Sequence, residues 1–207
     1  MSNHYKEKFV ESVKGRVKIS VDAANLEQSV KPMYVLEKDV PDNLKDCEVS
    51  ELCWRVDYEL LQKFFKDSCE LKEIKFYSAD FQTESHHKFL WFLKKILKFK
   101  LETKALKEYL DHSKENPHRK ANFDVEISVD AVYSMKEYDT FILFSGDCDF
   151  EYLIRFLRGK GKRVLVFSKS GHIAKELPPA ANQYFDIIDF RHEMLRVDKK
   201  QKAKNPS

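Results

Sequence analysis

The chain has 207 residues, 43% of them hydrophobic and 34% charged, enough for one compact domain that buries roughly 70% of the surface its unfolded form exposes. Its formal net charge of +3 is too mild to mark a nucleic-acid binder by composition alone. No apolar run approaches the length of about 20 residues that spans a bilayer, so no membrane partner is expected.

In chain order, residues 16–22 predict a first strand, closed by Asp22 and followed by the turn-like Asp22-Ala23-Ala24-Asn25-Leu26. Residues 27–50, with Pro32 and Pro41, read as an irregular excursion. Leu52, Val56, Leu60, Leu61 and Phe64 recur at helical spacing, residues 73–79 fit a second strand, and Phe89, Leu90, Phe92, Leu93, Ile96 and Leu97 make an apolar helix with Trp91 at its edge. Residues 99–106 predict a third strand, and residues 111–120 a polar loop that leads into a helix. In that helix Val125, Val129 and Val132, with Ile127 and Ala131, would pack on the sheet, and Asp124 lies in the first turn. Residues 139–145, 163–167 and 184–190 complete the strands. Alternating strands and helices, with only five glycines and six prolines, predict an α/β domain over residues 1–198. Residues 199–207 form a basic tail, and fraying is expected from Val197 onward.

The chemistry lies at the ends of these elements. The apolar run 139–144 empties into Ser145-Gly146-Asp147-Cys148-Asp149, and open parallel sheets place ligands outside the carboxyl ends of their strands. Asp22 closes another strand, and Asp124 sits where a helix dipole favours a carboxylate. Each aspartate alone could simply cap a turn or helix; three such coincidences point to a shared site. Two unit charges about 4 Å apart repel by roughly 4 kcal/mol at an effective dielectric near 20, so carboxylates sharing a pocket need a cation or take up protons. Oxygen donors without His or Cys at ligand spacing favour Mg²⁺ or Mn²⁺. Asp130, six positions beyond Asp124, points elsewhere by about 240° of helix rotation and is assigned a structural role. Adjacent His86 and His87 lack zinc-ligand spacing.

Basic residues cluster as His118-Arg119-Lys120, as Arg155, Arg158, Lys160, Lys162 and Arg163, and as Lys94, Lys95, Lys98 and Lys100. Each could neutralise phosphates beside the acids or form a solvated face; Arg119 and Lys120 are favoured as substrate contacts because they adjoin Asp124. Cys47, Cys53, Cys69 and Cys148 form no Cys-x-x-Cys pair and follow no secretory signal, which predicts reduced thiols and a cytoplasmic location.

Three segments carry a family resemblance: Val21-Asp-Ala-Ala-Asn25, the stretch from Lys120 through Asp124 to Ala131, and residues 139–150 ending in Ser-Gly-Asp-Cys-Asp-Phe. With residues 159–167 and 176–189, they make the chain resemble the NYN domain, a branch of the PIN-like nucleases that includes the LabA-like proteins. The resemblance implies a three-layer α/β/α PIN-like (Rossmann-like) domain with a central, mostly parallel sheet. It also implies a metal-dependent ribonuclease that hydrolyses phosphodiester bonds in single-stranded or locally unpaired RNA, with DNA as a further substrate and a homodimer as the assembly. Carried over by position, Asp22, Asp124 and Asp147 would hold Mg²⁺ or Mn²⁺, Asp149 would be a fourth catalytic acid, and Asn25 and Ser145 would support substrate beside Arg119 and Lys120. Ala23 and Ala121 stand where many members have glycine, and the 27–50 segment is longer than the turn expected there. Two alternatives remain open: a nucleic-acid-binding or scaffold module that keeps the pocket without cleaving, and a phosphatase for a small phosphorylated molecule.

Overall fold

The computed structural model describes residues 3–109 and 118–200, with the backbone alone for residues 3, 107–109 and 118–120. Helix α1 (Asn3–Ser12) leads into strand β1 (Arg16–Asp22), helix α2 (Ala23–Val30), strand β2 (Leu52–Val56), helix α3 (Tyr58–Ser68), strand β3 (Glu70–Asp80), helix α4 (Glu84–Lys95) and strand β4 (Lys100–Ala105). Short strands β5 (Lys107–Tyr109) and β6 (His118–Lys120) pair antiparallel. Then come α5 (Asp124–Tyr133), β7 (Thr140–Phe144), α6 (Glu151–Gly159), β8 (Arg163–Ser168), α7 (Leu177–Ala180), β9 (Gln183–Asp186), α8 (Arg191–Met194) and β10 (Leu195–Lys199).

Six strands form one sheet in the order β4-β3-β1-β7-β8-β9, with every neighbouring pair parallel. Numbered by chain order within the sheet this is 3-2-1-4-5-6, so the chain builds outward from β1 on both sides and reverses direction between β1 and β7. Both strands are buried on both faces, as a parallel sheet covered by helices requires. One face of β7 and β8 (Ile142, Phe144, Leu165, Phe167) joins Phe9 of α1, Leu26 of α2, Leu61 and Phe65 of α3 and Leu93 of α4. The alternate residues Phe141, Leu143, Val164 and Val166 join Ile127 and Ala131 of α5 and Leu153, Ile154 and Leu157 of α6. The period-2 alternation of strand side chains thus feeds two cores, giving three layers. Phe167 stacks between Phe144 and Phe185 at 4.9 and 5.1 Å; burying such a ring contributes about 1.5–3 kcal/mol. No described helix is long and apolar enough to cross a membrane.

Several elements differ from expectation. Residues 52–56 are a strand, because Leu52 and Trp54 bury alternately; the helical repeat begins only after Asp57, whose carboxylate accepts the Glu59 and Leu60 amides as an N-cap. The excursion after β1 starts as α2, in which Leu26 and Val30 bury one turn apart, and continues as three short 3₁₀ turns. Helix α5 faces the sheet with Ile127 and Ala131, whereas Val125 and Val129 are exposed. Residues 187–190 are a 3₁₀ turn and not strand. The expected frayed tail is ordered as β10, which pairs antiparallel with β2 from Leu195 opposite Val56 to Lys199 opposite Leu52. The Lys200 amide then donates to the Glu51 carbonyl at 2.7 Å, and residues 201–207 lie outside the described residues.

Candidate functional site

Asp22 ends β1 and caps α2: its Oδ1 accepts the Asn25 amide at 3.2 Å. Across the switch point, the chain leaves β7 through buried Ser145 and Gly146. Ser145 Oγ donates to Asp22 Oδ2 at 3.4 Å and accepts the Asp147 amide at 3.3 Å. The Gly146 amide donates to Asn25 Oδ1 at 2.8 Å. Two hydrogen-bonded bridges therefore tie the ends of adjacent strands, and the sequence-expected residues Asp22, Asn25, Ser145 and Asp147 form one connected cluster.

Asp147 in turn caps the 3₁₀ turn Cys148–Phe150, accepting the Asp149 amide at 3.2 Å, while Phe150 is buried beneath it. Among the described residues, Asp147, Cys148 and Asp149 each present a ligand atom, all within 4.8 Å of one another. Asp124 opens α5, with Phe123 buried against Tyr77 at a ring distance of 6.0 Å and the Asp124 amide donating to Asn122 Oδ1 at 3.0 Å. Asp22 and Asp124 lie outside the closest group of ligand atoms, but both share its field. Burial pushes the Asp22 carboxyl up to about 6, against the Asn25 hydrogen bond, and Asp124 and Asp147 raise it further. Asp124 is also raised, by burial first and then by Asp147 and Asp149, against its hydrogen bond with Asn122. Carboxylates that raise one another in this way hold protons more tightly than isolated ones unless a cation offsets their charge.

Sequence reasoning missed three participants. A Cβ on Gly146 would collide with the His172 carbonyl oxygen and lie 2.8 Å from Ser168 Oγ, so only glycine lets the loop after β8 support the acidic loop; a glycine between Ser and Asp at a strand exit was the available signal. Asn122, two residues before the helix, holds Asp124 in place. Cys148 adds a thiol to the carboxylate group, so a cysteine does stand at ligand distance from the acids, contrary to the expectation of oxygen donors alone; its place between the two aspartates of the strand exit was the available signal.

Asp130 belongs to a separate contact: its carboxylate accepts Lys75 Nζ at 2.5 Å and the Tyr77 hydroxyl at 2.9 Å, so it ties α5 to β3. The Arg155–Arg163 and Lys94–Lys100 clusters do not flank the acids. They lie on α6 and α4 and on the turns that lead from these helices into β8 and β4, hence toward the amino edge of the parallel sheet. There Lys162 donates to the Tyr138 carbonyl and Arg163 to the Ser12 carbonyl, and Lys100 pairs with Glu73. The backbone of Arg119 and Lys120 runs in β6 toward α5, and their side chains lie outside the described residues. The described cation near Asp124 is Lys104, which pairs with Glu126 at 2.5 Å and donates to the Asn122 carbonyl at 2.9 Å.

The sequence profile of the NYN domain matches residues 16–189. Over 104 residues the chain is 39% identical to Low amplitude and bright protein LabA of Synechococcus elongatus; the match takes in 50% of this chain and 56% of that protein, so the chain spans about half the length of the curated relative. A solved structure of a protein of unknown function from Vibrio parahaemolyticus is 21% identical, with a TM-score of 0.59 over 88% of this chain and 96% of the other; it shares the fold.

Proposed function

The chain belongs to the NYN domain family, and from that premise we propose that it is a ribonuclease that uses Mg²⁺ or Mn²⁺ to hydrolyse phosphodiester bonds in single-stranded or locally unpaired RNA. NYN domains are typically nucleases and generally use divalent metals. The single observation that carries the reading is the linkage of Asp22 to Asp147 through the Ser145 hydroxyl, within the field of Asp124.

The donors suit the metal: every candidate ligand but the Cys148 thiol is a carboxylate, burial and the flanking Asp147 and Asp149 push that thiol up and so keep it protonated, and hard oxygen ligands select Mg²⁺ or Mn²⁺ over softer ions. In this reading Asp22, Asp124 and Asp147 would hold the ion, directly or through water. When bound, a divalent ion polarises a phosphoryl oxygen, lowers the pKa of water and stabilises the leaving alkoxide. The exposed carboxylate of Asp149 accepts a hydrogen bond from the attacking water and orients it. Ser145 ties the Asp22 carboxylate to the Asp147 backbone and Asn25 fixes the Gly146 backbone, and both would lie where a substrate phosphate approaches. Arg119 and Lys120, which lead into α5 just before Asp124, would neutralise flanking phosphates.

The test is incubation of labelled RNA with the purified chain and Mn²⁺ beside Asp22→Asn and Asp147→Asn. Cutting by the parent chain and loss of at least about a hundredfold in both variants is expected; equal cutting by all three would remove these residues from catalysis. One observation favours a second reading. The described basic clusters sit at the opposite edge from the acids, which suits a nucleic-acid-binding module that keeps the pocket without cleaving; RNA binding with no Mn²⁺-dependent turnover would select it.

A further inference from the structure

A second concavity lies at the amino edge of the sheet, a cleft of about 620 Å³ lined from the turn before β1, from α6 and from the turn that leads into β8. Five of its lining residues are cations: Lys14, Arg155, Arg158, Lys162 and Arg163. The carboxylate among them is Asp139, and both of its oxygens already accept from the Arg16 guanidinium, at 3.0 and 3.2 Å. Like charges gathered in one concavity focus their field and raise the local concentration of anions.

These cations are held in place without being neutralised. Arg158 donates to the Ala180 carbonyl, Lys162 to the Tyr138 carbonyl and Arg163 Nε to the Ser12 carbonyl. A carbonyl fixes the direction of the side chain but carries no charge, and it occupies one of the three N–H donors of a lysine or of the five of an arginine. Lys14 has no side-chain hydrogen bond or ion pair among the described residues. Arg155 pairs with Glu151 one turn earlier on the same helix, an exposed pairing that contributes little. The helix dipole accounts for Arg158 in the last turn of α6; it does not account for Lys14 and Arg163, which come from other elements.

Helix α6 joins the cleft to the acids. It begins two residues after Asp149 and runs for nine residues to Gly159, about 13.5 Å at 1.5 Å per residue. Leu153, Ile154 and Leu157 bury one side of it. Tyr152, Arg155 and Arg158 lie on the exposed side, each three residues from the last and therefore neighbours on the surface, and Tyr152 is 80% exposed. From the acids to the cleft the ridge presents an aromatic ring and then two guanidinium groups. Stacked nucleotides advance about 3.4 Å each along one strand, so about four cover the distance.

We propose that the cleft is a phosphate-binding anchor for single-stranded RNA: a strand with one phosphodiester at the acids lays a base on Tyr152 and seats phosphates about four nucleotides away among the five cations. No aromatic side chain lines the cleft among the described residues, so it grips backbone and not bases, and its binding is independent of sequence. An acidic peptide would match the cations but leave the Tyr152 ring without the stacking partner that a base supplies. The path of the strand rests on the nuclease reading, whereas the anchor itself is tested by binding.

The full chain is titrated in EDTA, where that reading allows no cutting, with a fluorescent poly-A strand of about twelve nucleotides and an abasic strand of the same length, over a range of KCl. Lys14→Gln combined with Arg155→Gln removes two phosphate contacts, and the slope of log K against log [KCl] should become shallower by about 1.4, from about 0.7 for each single-strand contact. Lys63→Gln combined with Lys88→Gln takes the same charge from exposed positions on α3 and α4 and should leave the slope as it is. Tyr152→Ala should weaken the intact strand about tenfold and spare the abasic one. All five substituted side chains are exposed, so the variants should fold, and unchanged thermal unfolding checks this. An unchanged slope in the cleft variant, an equal change in the control, an equal effect of Tyr152→Ala on both strands, or no RNA binding at all overturns the anchor. Tripolyphosphate bound more tightly than RNA, with the same dependence on Lys14 and Arg155, would assign the cleft to a free polyphosphate and also overturns it. If the slope falls as expected while the unmutated chain never cuts RNA in Mn²⁺, the anchor stands and the nuclease reading falls; if the slope is unchanged while the unmutated chain cuts, the reverse holds.

Discussion

Removing the charge at Asp22 should stabilise the metal-free protein while destroying its site. The carboxyl rises from 3.8 to about 6, through burial first and then the neighbouring Asp124 and Asp147, which corresponds to about 3 kcal/mol against the charged form. In Asp22→Asn the new side chain keeps an oxygen for the Asn25 amide, so the cap survives, and its NH₂ meets the Ser145 hydroxyl, which can turn to accept; we expect a net gain of about 2 kcal/mol. In a chain of this length that is about 4–8 °C in Tm. The dependence on pH has a definite sign. Between about pH 4 and 6 the folded carboxyl binds a proton that the unfolded one has released, so parent stability rises as pH falls through this window. Asp22→Asn should lack that rise. Urea unfolding in EDTA from about pH 4 to 8 measures both effects, and adding Mn²⁺ at about pH 8 should stabilise the parent but not the variant. If Asp22→Asn proves less stable than the parent at about pH 8 in EDTA, or keeps the parent's slope between about pH 4 and 6, the electrostatic account is refuted.

Gly146→Ala forces a Cβ into the His172 carbonyl and should lose about 3 kcal/mol in urea unfolding, with Mn²⁺-dependent cutting lost along with the loop geometry. Asp130→Asn should cost about 1–2 kcal/mol, because Lys75 keeps Glu102 at 3.2 Å, and leave RNA cutting within about threefold of the parent; a loss of about a hundredfold would return Asp130 to the site. Asp139 is held at about 2, chiefly by hydrogen bonds from the Arg16 side chain and backbone. Its contribution is present above about pH 4 and lost as pH falls through about 2, so Asp139→Asn should flatten the acid limb of a circular-dichroism titration in that range.

Strands β1 and β7 were readable because central parallel strands are apolar on both faces and each stops at an aspartate or just before one. Strand β2 was not, because Leu52, Val56 and Leu60 are spaced by four, which fits a helix and also even positions on a strand; only the Asp57 cap separates the two patterns. In α5 two apolar stripes run at i, i+4, one through Ile127 and Ala131 and the other through Val125 and Val129, and one sequence does not say which faces the sheet. The misplaced basic clusters were recoverable. In an all-parallel sheet, residues just before a strand lie at the amino edge and those just after it at the carboxyl edge, so Lys162 and Arg163 belong opposite Asp22 and Asp147. The Asp22–Ser145–Asp147 and Asn25–Gly146 bridges were not recoverable in detail, since they depend on β1 and β7 being neighbours although more than a hundred residues apart.

The direction of the Asp22 shift bears on whether the aspartate is there only to cap α2. A helix N-terminus favours a carboxylate by about 0.3–1 kcal/mol, and an Asp present only to cap would sit below its ordinary pKa. Asp22 does accept the cap hydrogen bond from Asn25, yet its carboxyl lies well above that value. Burial first, and then the two further carboxylates, therefore outweigh the cap. Asparagine or serine would cap α2 as well without that repulsion. An arrangement that burdens the folded chain when metal-free would become favourable if a divalent cation neutralised the acids, as the proposed function requires, so Mn²⁺ should raise the stability of the parent chain more at about pH 8 than at about pH 5, where protons already relieve the burden.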